Sequence, residues 1–320
     1  MHVKPPTIEE IRRAALKLQN VILHTPLVPL HSFGGRSTVL LKPEIHQAVT
    51  SFKVRGVFYA VSALSEEQRQ RGISTVSAGN TAQALAWAGR RFGVSARCIM
   101  PDSAPTTKID AVRSYGGSPE LVPVDELFRY LREHLWESEP HAFIHPWTDR
   151  NVLMGHGSLG LEILADCPNV ETVFVPVGGG GLIGGVGTAL KALNADIKIV
   201  AVEPEGCPSL HDSLQTGQPV NVSCNTICDG VAVPYITNEM FPLLQNIVDQ
   251  VMLVSDEAVR AAVKLLALGN RMVTEPSGAL ATAAALATPE QDRGKSVCLI
   301  TGGSIDARKL VSILDDSTLD

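Results

Sequence analysis

Val173-Phe-Val-Pro-Val-Gly-Gly-Gly-Gly-Leu-Ile-Gly-Gly, residues 173–185, is the stretch that decides the fold. An apolar run of strand length passes into four glycines, Gly178, Gly179, Gly180 and Gly181, and from Leu182 into helical spacing. Strand, glycine turn and helix form the repeating unit of α/β proteins, in which ligands collect at the carboxyl ends of parallel strands. Glycines let backbone N–H groups converge, and the start of the following helix favours an anion, so the turn reads as a phosphate cradle. Four consecutive glycines carry an entropic cost that a mere connection does not need. A second reading stays open on this segment alone. Gly179, Gly181 and Gly184 satisfy G-x-G-x-x-G, and Glu203 ends the next strand at the spacing of a ribose-binding acid, as in a dinucleotide site.

Outward from this turn, short β-rich runs alternate with helical patterns. Strands are expected over 74–77, 97–100, 120–124, 142–145, 172–177, 198–203, 250–254 and 296–301, and helices over 81–92, 124–136, 152–165, 182–193 and 256–269. Several of the strands are apolar throughout, which suits strands covered by helices on both faces. The fold class is therefore α/β: open, twisted, mostly parallel sheets flanked by helices. So many strands in 320 residues predict two sheets, with the chain crossing between them near residues 146–150.

Composition narrows the partners. A net charge of −6 opposes binding to nucleic acid or to an anionic membrane surface. Residues 1–10 lack a basic-then-apolar secretory pattern, and no run approaches the ~20 apolar residues of a membrane span, so a cytoplasmic location is expected. Six scattered cysteines are expected to be free thiols. Cys224 and Cys228 stand four apart, yet no second Cys or His pair lies near them at ligand spacing, and no metal or redox role is expected.

Three further segments carry chemistry. Val76-Ser77-Ala78-Gly79-Asn80-Thr81 is again a strand-to-helix turn, offering N–H groups, two hydroxyls and an amide that suit a carboxylate or simply cap the helix. Thr301-Gly302-Gly303-Ser304 follows the last strand and could aim a hydroxyl at a ligand or only turn the chain. Lys53, within Ser51-Phe-Lys-Val-Arg-Gly, could be an ordinary solvated side chain; a lysine that attacks carbonyls must be partly withdrawn from water.

Together these segments resemble the fold-type II enzymes that use pyridoxal phosphate (PLP), in the branch of the threonine and serine ammonia-lyases (dehydratases) and serine racemase. The matching segments run in family order from His24-Thr-Pro-Leu through the lysine motif and Ser77-Ala-Gly-Asn to Met100-Pro, Ala104-Pro and Lys108. They continue through His145-Pro, Gly155-His-Gly-Ser, Leu161-Glu-Ile, the glycine turn, Glu203-Pro, Asp229-Gly-Val, Glu275-Pro-Ser-Gly and Thr301-Gly-Gly. The resemblance implies a tryptophan synthase β-like architecture, with a large PLP-binding domain from residues 1–65 and 148–320 and a small substrate-loop domain from 66–147. It implies that Lys53 carries the cofactor as a Schiff base and shuttles the α-proton. Gly178, Gly179, Gly180, Gly181 and Leu182 would bind the phosphate, Asn80 the ring hydroxyl, and Phe52 would pack on the ring. Thr301 would face the pyridine nitrogen and Glu275 the ring edge, while Ser77, Ala78, Gly79 and Thr81 would hold the substrate carboxylate. A homodimer acting on a small amino acid is also implied.

A threonine hydroxyl at the ring nitrogen cannot enforce its protonation as a carboxylate would, so prompt loss of a β-leaving group is favoured over a long-lived carbanion. The implied reaction is loss of water from a threonine- or serine-like amino acid, giving a 2-oxo acid and ammonia. Some positions depart from the family pattern. Ala78 stands where serine racemase has the serine that acts as its second base, which weighs against racemisation, a reaction needing proton transfer on both faces. Thr81 replaces a usual His, Thr50 a common Gly, His156 a common Gln and Ser304 a frequent Asn, so the substrate need not be threonine or serine. Ser209 stands at the counterpart of an acid in a divalent-cation site, so no metal is assigned. The chain ends soon after Ser304, and feedback inhibition through a regulatory domain is not expected. A racemase, a β- or γ-replacing synthase, a dinucleotide-dependent oxidoreductase and a non-catalytic amino-acid sensor remain as alternatives.

Overall fold

A computed structural model describes residues 2–31 and 38–315. Among these residues ten strands run, in chain order, β1 (Val28–Pro29), β2 (Val39–Pro43), β3 (Ile73–Val76), β4 (Ala96–Pro101), β5 (Ser118–Val122), β6 (Ala142–Phe143), β7 (Thr172–Pro176), β8 (Lys198–Pro204), β9 (Gln250–Val254) and β10 (Ser296–Ile300). They form two sheets, one of six strands ordered β1-β2-β10-β7-β8-β9 and one of four ordered β5-β4-β3-β6. Every pairing is parallel except β1 with β2. β3, β7 and β10 are buried along their whole length, as strands sandwiched between helix layers must be.

Register places the chemistry. Ser296 of β10 pairs with Thr172 of β7 and Cys298 with Phe174, so the two strands end side by side. The turn after β10, starting at Thr301, and the glycine turn after β7 therefore emerge from the same edge of the large sheet. Beneath them lies the helix Pro276–Ala287, packed on β7 and β10 and buried from Pro276 to Ala285. Its run of alanines brings the helix close to the strands, and Glu275 stands at its N-cap, raised to the level of the strand ends.

The structure shifts several expected elements. The strand expected over 120–124 lies at Ser118–Val122, because Pro123 opens the helix Val124–Arg132. That helix stops short of residue 136: His134 takes a left-handed φ of 54° and a short 3-10 turn, Leu135–Ser138, follows. The chain leaves the small sheet after β6 and re-enters at the helix Arg150–Asp166, where Asp149 accepts from the N–H of Asn151 at 2.8 Å. β2 was not foreseen, because Lys42 interrupts a short apolar run. Its amine is fully buried and donates to the Thr25 carbonyl at 2.5 Å, with Glu162 at 2.8 Å.

Candidate active site

Lys53 is set by a staple between two distant parts of the chain. Ser51 and Gly302 form an antiparallel bridge. The N–H of Phe52 donates to the Thr301 carbonyl at 3.2 Å, and that of Gly303 to the Thr50 carbonyl at 2.9 Å. Thr50 takes a φ of 52°, the left-handed region that favours glycine, which gives a physical reason for glycine at this place in the family pattern. Directly after the staple begins the helix Lys53–Ala63. Two residues in, Arg55 anchors it: the guanidinium donates to Glu44 at 2.7 and 2.9 Å, to Glu162 at 2.6 and 2.9 Å, and to the Leu23 carbonyl at 3.1 Å. Glu44 is fully buried and its carboxyl is held below the usual range, since Arg55 outweighs the burial that opposes its charge.

The staple delivers Lys53 to a cavity of about 590 Å³. Every residue assigned above to the cofactor or substrate lines it: Phe52, Lys53, Ser77, Ala78, Gly79, Asn80, Thr81, Gly178, Gly179, Gly180, Gly181, Leu182, Glu275 and Thr301. Lys53 is half-buried by accessible surface because the cavity itself admits water, but protein encloses the amine. That burial draws its pKa from 10.5 down to about 8, with Glu275 pulling part of the way back. The amine lies 4.9 Å from the centre of the Phe52 ring.

Across the cavity the helix Gly181–Leu193 starts at Gly180, whose φ of 90° is the left-handed turn that glycine makes without penalty, and no side chain caps it. Its first N–H groups have no partner within the helix, so they present the donors that a phosphate requires. Gly179 is pressed on Trp147, where a β-carbon would come within 2.3 Å of the indole, so this turn has no room for a side chain.

Between lysine and glycine turn lies a polar cluster that the sequence did not reveal as such. Asn80 Nδ2 donates to Glu275 Oε1 at 2.6 Å, leaving Asn80 Oδ1 buried without a partner among the described residues. Lys108 Nζ donates to Asp229 at 2.6 Å and sits 3.3 Å from Glu275 Oε2, an ion-pair distance without hydrogen-bond alignment. Burial opposes the Lys108 charge, yet Glu275 and Asp229 together hold its pKa above the usual value. Burial raises the Glu275 carboxyl, with Asp229 adding to the rise and Lys108 and Asn80 opposing it. Thr301 Oγ1 stands 3.5 Å from the Ser277 carbonyl. His156 is fully buried under Phe52, ring centres 4.8 Å apart, with neither ring nitrogen bonded among the described residues; burial, then Lys53 and Arg55, pushes its pKa down.

Two sequence readings are corrected. Glu203 does not line the cavity. It accepts from Ser209 Oγ at 3.2 Å and from the N–H groups of Leu210 and His211 at 2.8 Å each, holding the start of the helix Ser209–Thr216. Burial lifts its pKa to about 7 against those bonds. The ribose acid of a dinucleotide reading is thus occupied elsewhere. The cysteines are not all free: Cys207 and Cys224 are joined in a disulfide, while Cys228 stays a buried thiol. Spacing had drawn attention to the wrong partner, because the loop after the helix Ser209–Thr216 folds back on residue 207 and not on its own neighbour.

The cavity offers PLP what it needs: an enclosed amine, an uncapped helix start behind glycines, and an amide oxygen without a partner. Comparisons with known proteins agree. The family model described as pyridoxal-phosphate dependent enzyme matches residues 18–302. L-threonine ammonia-lyase of Thermotoga maritima is 37% identical over 317 residues, covering 97% of this chain and 78% of that protein. Among solved structures, the processed form of threonine deaminase isoform 2 from Solanum lycopersicum superposes with a TM-score of 0.87 at 34% identity, covering 100% of this chain and 97% of the other. Maize serine racemase gives a TM-score of 0.87 at 30% identity over 97% of each chain. Cavity, fold and kinship lead to one conclusion: this chain belongs to the pyridoxal-phosphate dependent enzymes, in the branch of the threonine/serine dehydratases and serine racemase.

Proposed function

We propose that the protein removes water from a threonine- or serine-like β-hydroxy amino acid, releasing a 2-oxo acid and ammonia. The observation that carries this reading is the meeting of Lys53, with its amine withdrawn from water, and the uncapped glycine turn in one cavity. Bound PLP supplies an electron sink for the pair left when the Cα–H bond breaks. The rest falls to the chain. Lys53 would be the residue of covalent attachment, and its amine, when neutral, would take the α-proton. The N–H groups of the 178–182 turn would hold the phosphate. Phe52 closes one side of the ring site, and Asn80 with Glu275 stands at its edge, where the orphaned Asn80 oxygen awaits a donor. Ser77, Gly79 and Thr81, at the start of the helix Asn80–Phe92, hold the substrate carboxylate. Thr301 would face the ring nitrogen, and its hydroxyl would bring no fixed charge there.

Ala78 has no acid or base to deliver a proton from the second face, which supports elimination over inversion. We further place the protein in the cytoplasm as a homodimer, with residues 66–147 as the small domain. In support of the last point, β3 to β6 make a sheet of their own. The test is release of 2-oxo acid and ammonia from a panel of β-hydroxy amino acids by the holoenzyme. Inversion of substrate without its consumption would instead establish a racemase.

A further inference from the structure

The cavity wall divides by chemistry. One part is polar, made of the 77–81 turn, the 178–182 turn and Lys53. Another part is apolar. From the helix Val124–Arg132, the side chains Val124, Leu127, Phe128 and Leu131 line the cavity, joined by Val233 and Pro234 of the large-sheet side. Phe128 meets Tyr235 edge-on with ring centres 6.0 Å apart, so this wall runs across the cleft between the two sheets.

Charge sharpens the point. Among the described residues, the cations lining the cavity are Lys53 and Lys108, and Lys108 is already paired with Asp229 and Glu275. A second carboxylate on the substrate would find no free cation and would face Asp125, Asp229 and Glu275. Such a site rejects a dicarboxylic substrate by unpaired and like charge while rewarding apolar surface. Resting on the elimination reading above, we infer that the substrate is a β-hydroxy amino acid whose β-substituent is uncharged, apolar and larger than a methyl group, a branched alkyl or aryl group seated against Phe128 and Leu131.

The test compares kcat/KM of the holoenzyme for 2-oxo acid release from serine, threonine, 3-phenylserine and 3-hydroxyaspartate. Each methylene buried in such a pocket contributes about tenfold or more in specificity. Phenylserine is therefore expected to exceed serine by at least about tenfold, and hydroxyaspartate to fall below both. Phe128→Ala should lower the phenylserine-to-serine ratio about tenfold, a quantity indifferent to how much of the variant folds. Leu131→Ala gives a second, independent reading of the same ratio. Serine, threonine or hydroxyaspartate as the preferred substrate, or a ratio unmoved by both substitutions, overturns the inference and leaves elimination standing. No 2-oxo acid from any of the four overturns elimination and the inference with it.

Discussion

The enclosure of Lys53 can be read directly as a rate. With a pKa of about 8 in place of 10.5, the amine at pH 7.5 is neutral in about a quarter of molecules, against about one in a thousand for an ordinary lysine. Only the neutral form attacks an aldehyde, so covalent capture of PLP by the apoprotein should run ~200-fold faster at this pH than capture by a solvated lysine. The sign follows from the direction of the shift: capture rises through pH 7 to 8 and levels off above about 9. Stopped-flow absorbance of the lysine-linked cofactor, from pH 6 to 10, reads the profile. Glu275→Gln separates the protein's titration from that of the free aldehyde, which is common to both proteins. Glu275 holds the Lys53 pKa up, so its neutralisation should move the inflection to lower pH. A rate still climbing tenfold per pH unit at pH 9.5, or an inflection moved upward in the variant, would refute the argument.

Other outcomes follow from the same geometry. Lys53→Ala should abolish both the absorbance of the linked cofactor and 2-oxo acid release; normal turnover would sink the mechanism. Gly180→Asp should raise the Kd for PLP at least tenfold, because it sets a negative charge at the phosphate site and forces a left-handed residue at a strain of about 1–2 kcal/mol, with Leu244 within 2.7 Å of the new β-carbon; equilibrium dialysis measures it. Thr50→Gly should raise stability by about 0.5–1 kcal/mol, the relief of its left-handed backbone less the extra entropy of glycine when unfolded, read from the urea midpoint. Arg55→Met should cost about 3–5 kcal/mol in the same assay by stranding Glu44, and Glu44→Gln should restore part of that loss.

The parts of this protein that follow from local pattern were legible in the sequence. Gln250–Val254 and the helix Asp256–Gly269 fall where periodicity put them, and the glycine turn announced its strand and helix together. The resemblance supplied the site, and its residues do converge on one cavity. What stayed hidden depends on who meets whom. A lysine inside an apolar run, Lys42, looks like the end of a strand until Glu162 arrives from far along the chain to neutralise it. Glu203 looked like a ligand-binding acid because sequence gives its position at a strand end but not the N–H groups that fold onto it. Lys108 lies on the helix Thr106–Ser114 and Asp229 on the 3-10 turn Asp229–Val231, more than a hundred residues later, and no local signal joins them.

The staple between Ser51 and Gly302 makes the aim of the reactive amine dependent on a backbone partner about 250 residues further along the chain. While the ribosome still holds the segment that forms β10, the lysine helix lacks the backbone partner that aims it. Premature capture of the aldehyde by a nascent chain is thereby disfavoured, and a truncated product ending before residue 300 would carry the lysine without its orientation. Covalent loading then reports that the strand before Gly302 has been made and has docked beside the lysine helix.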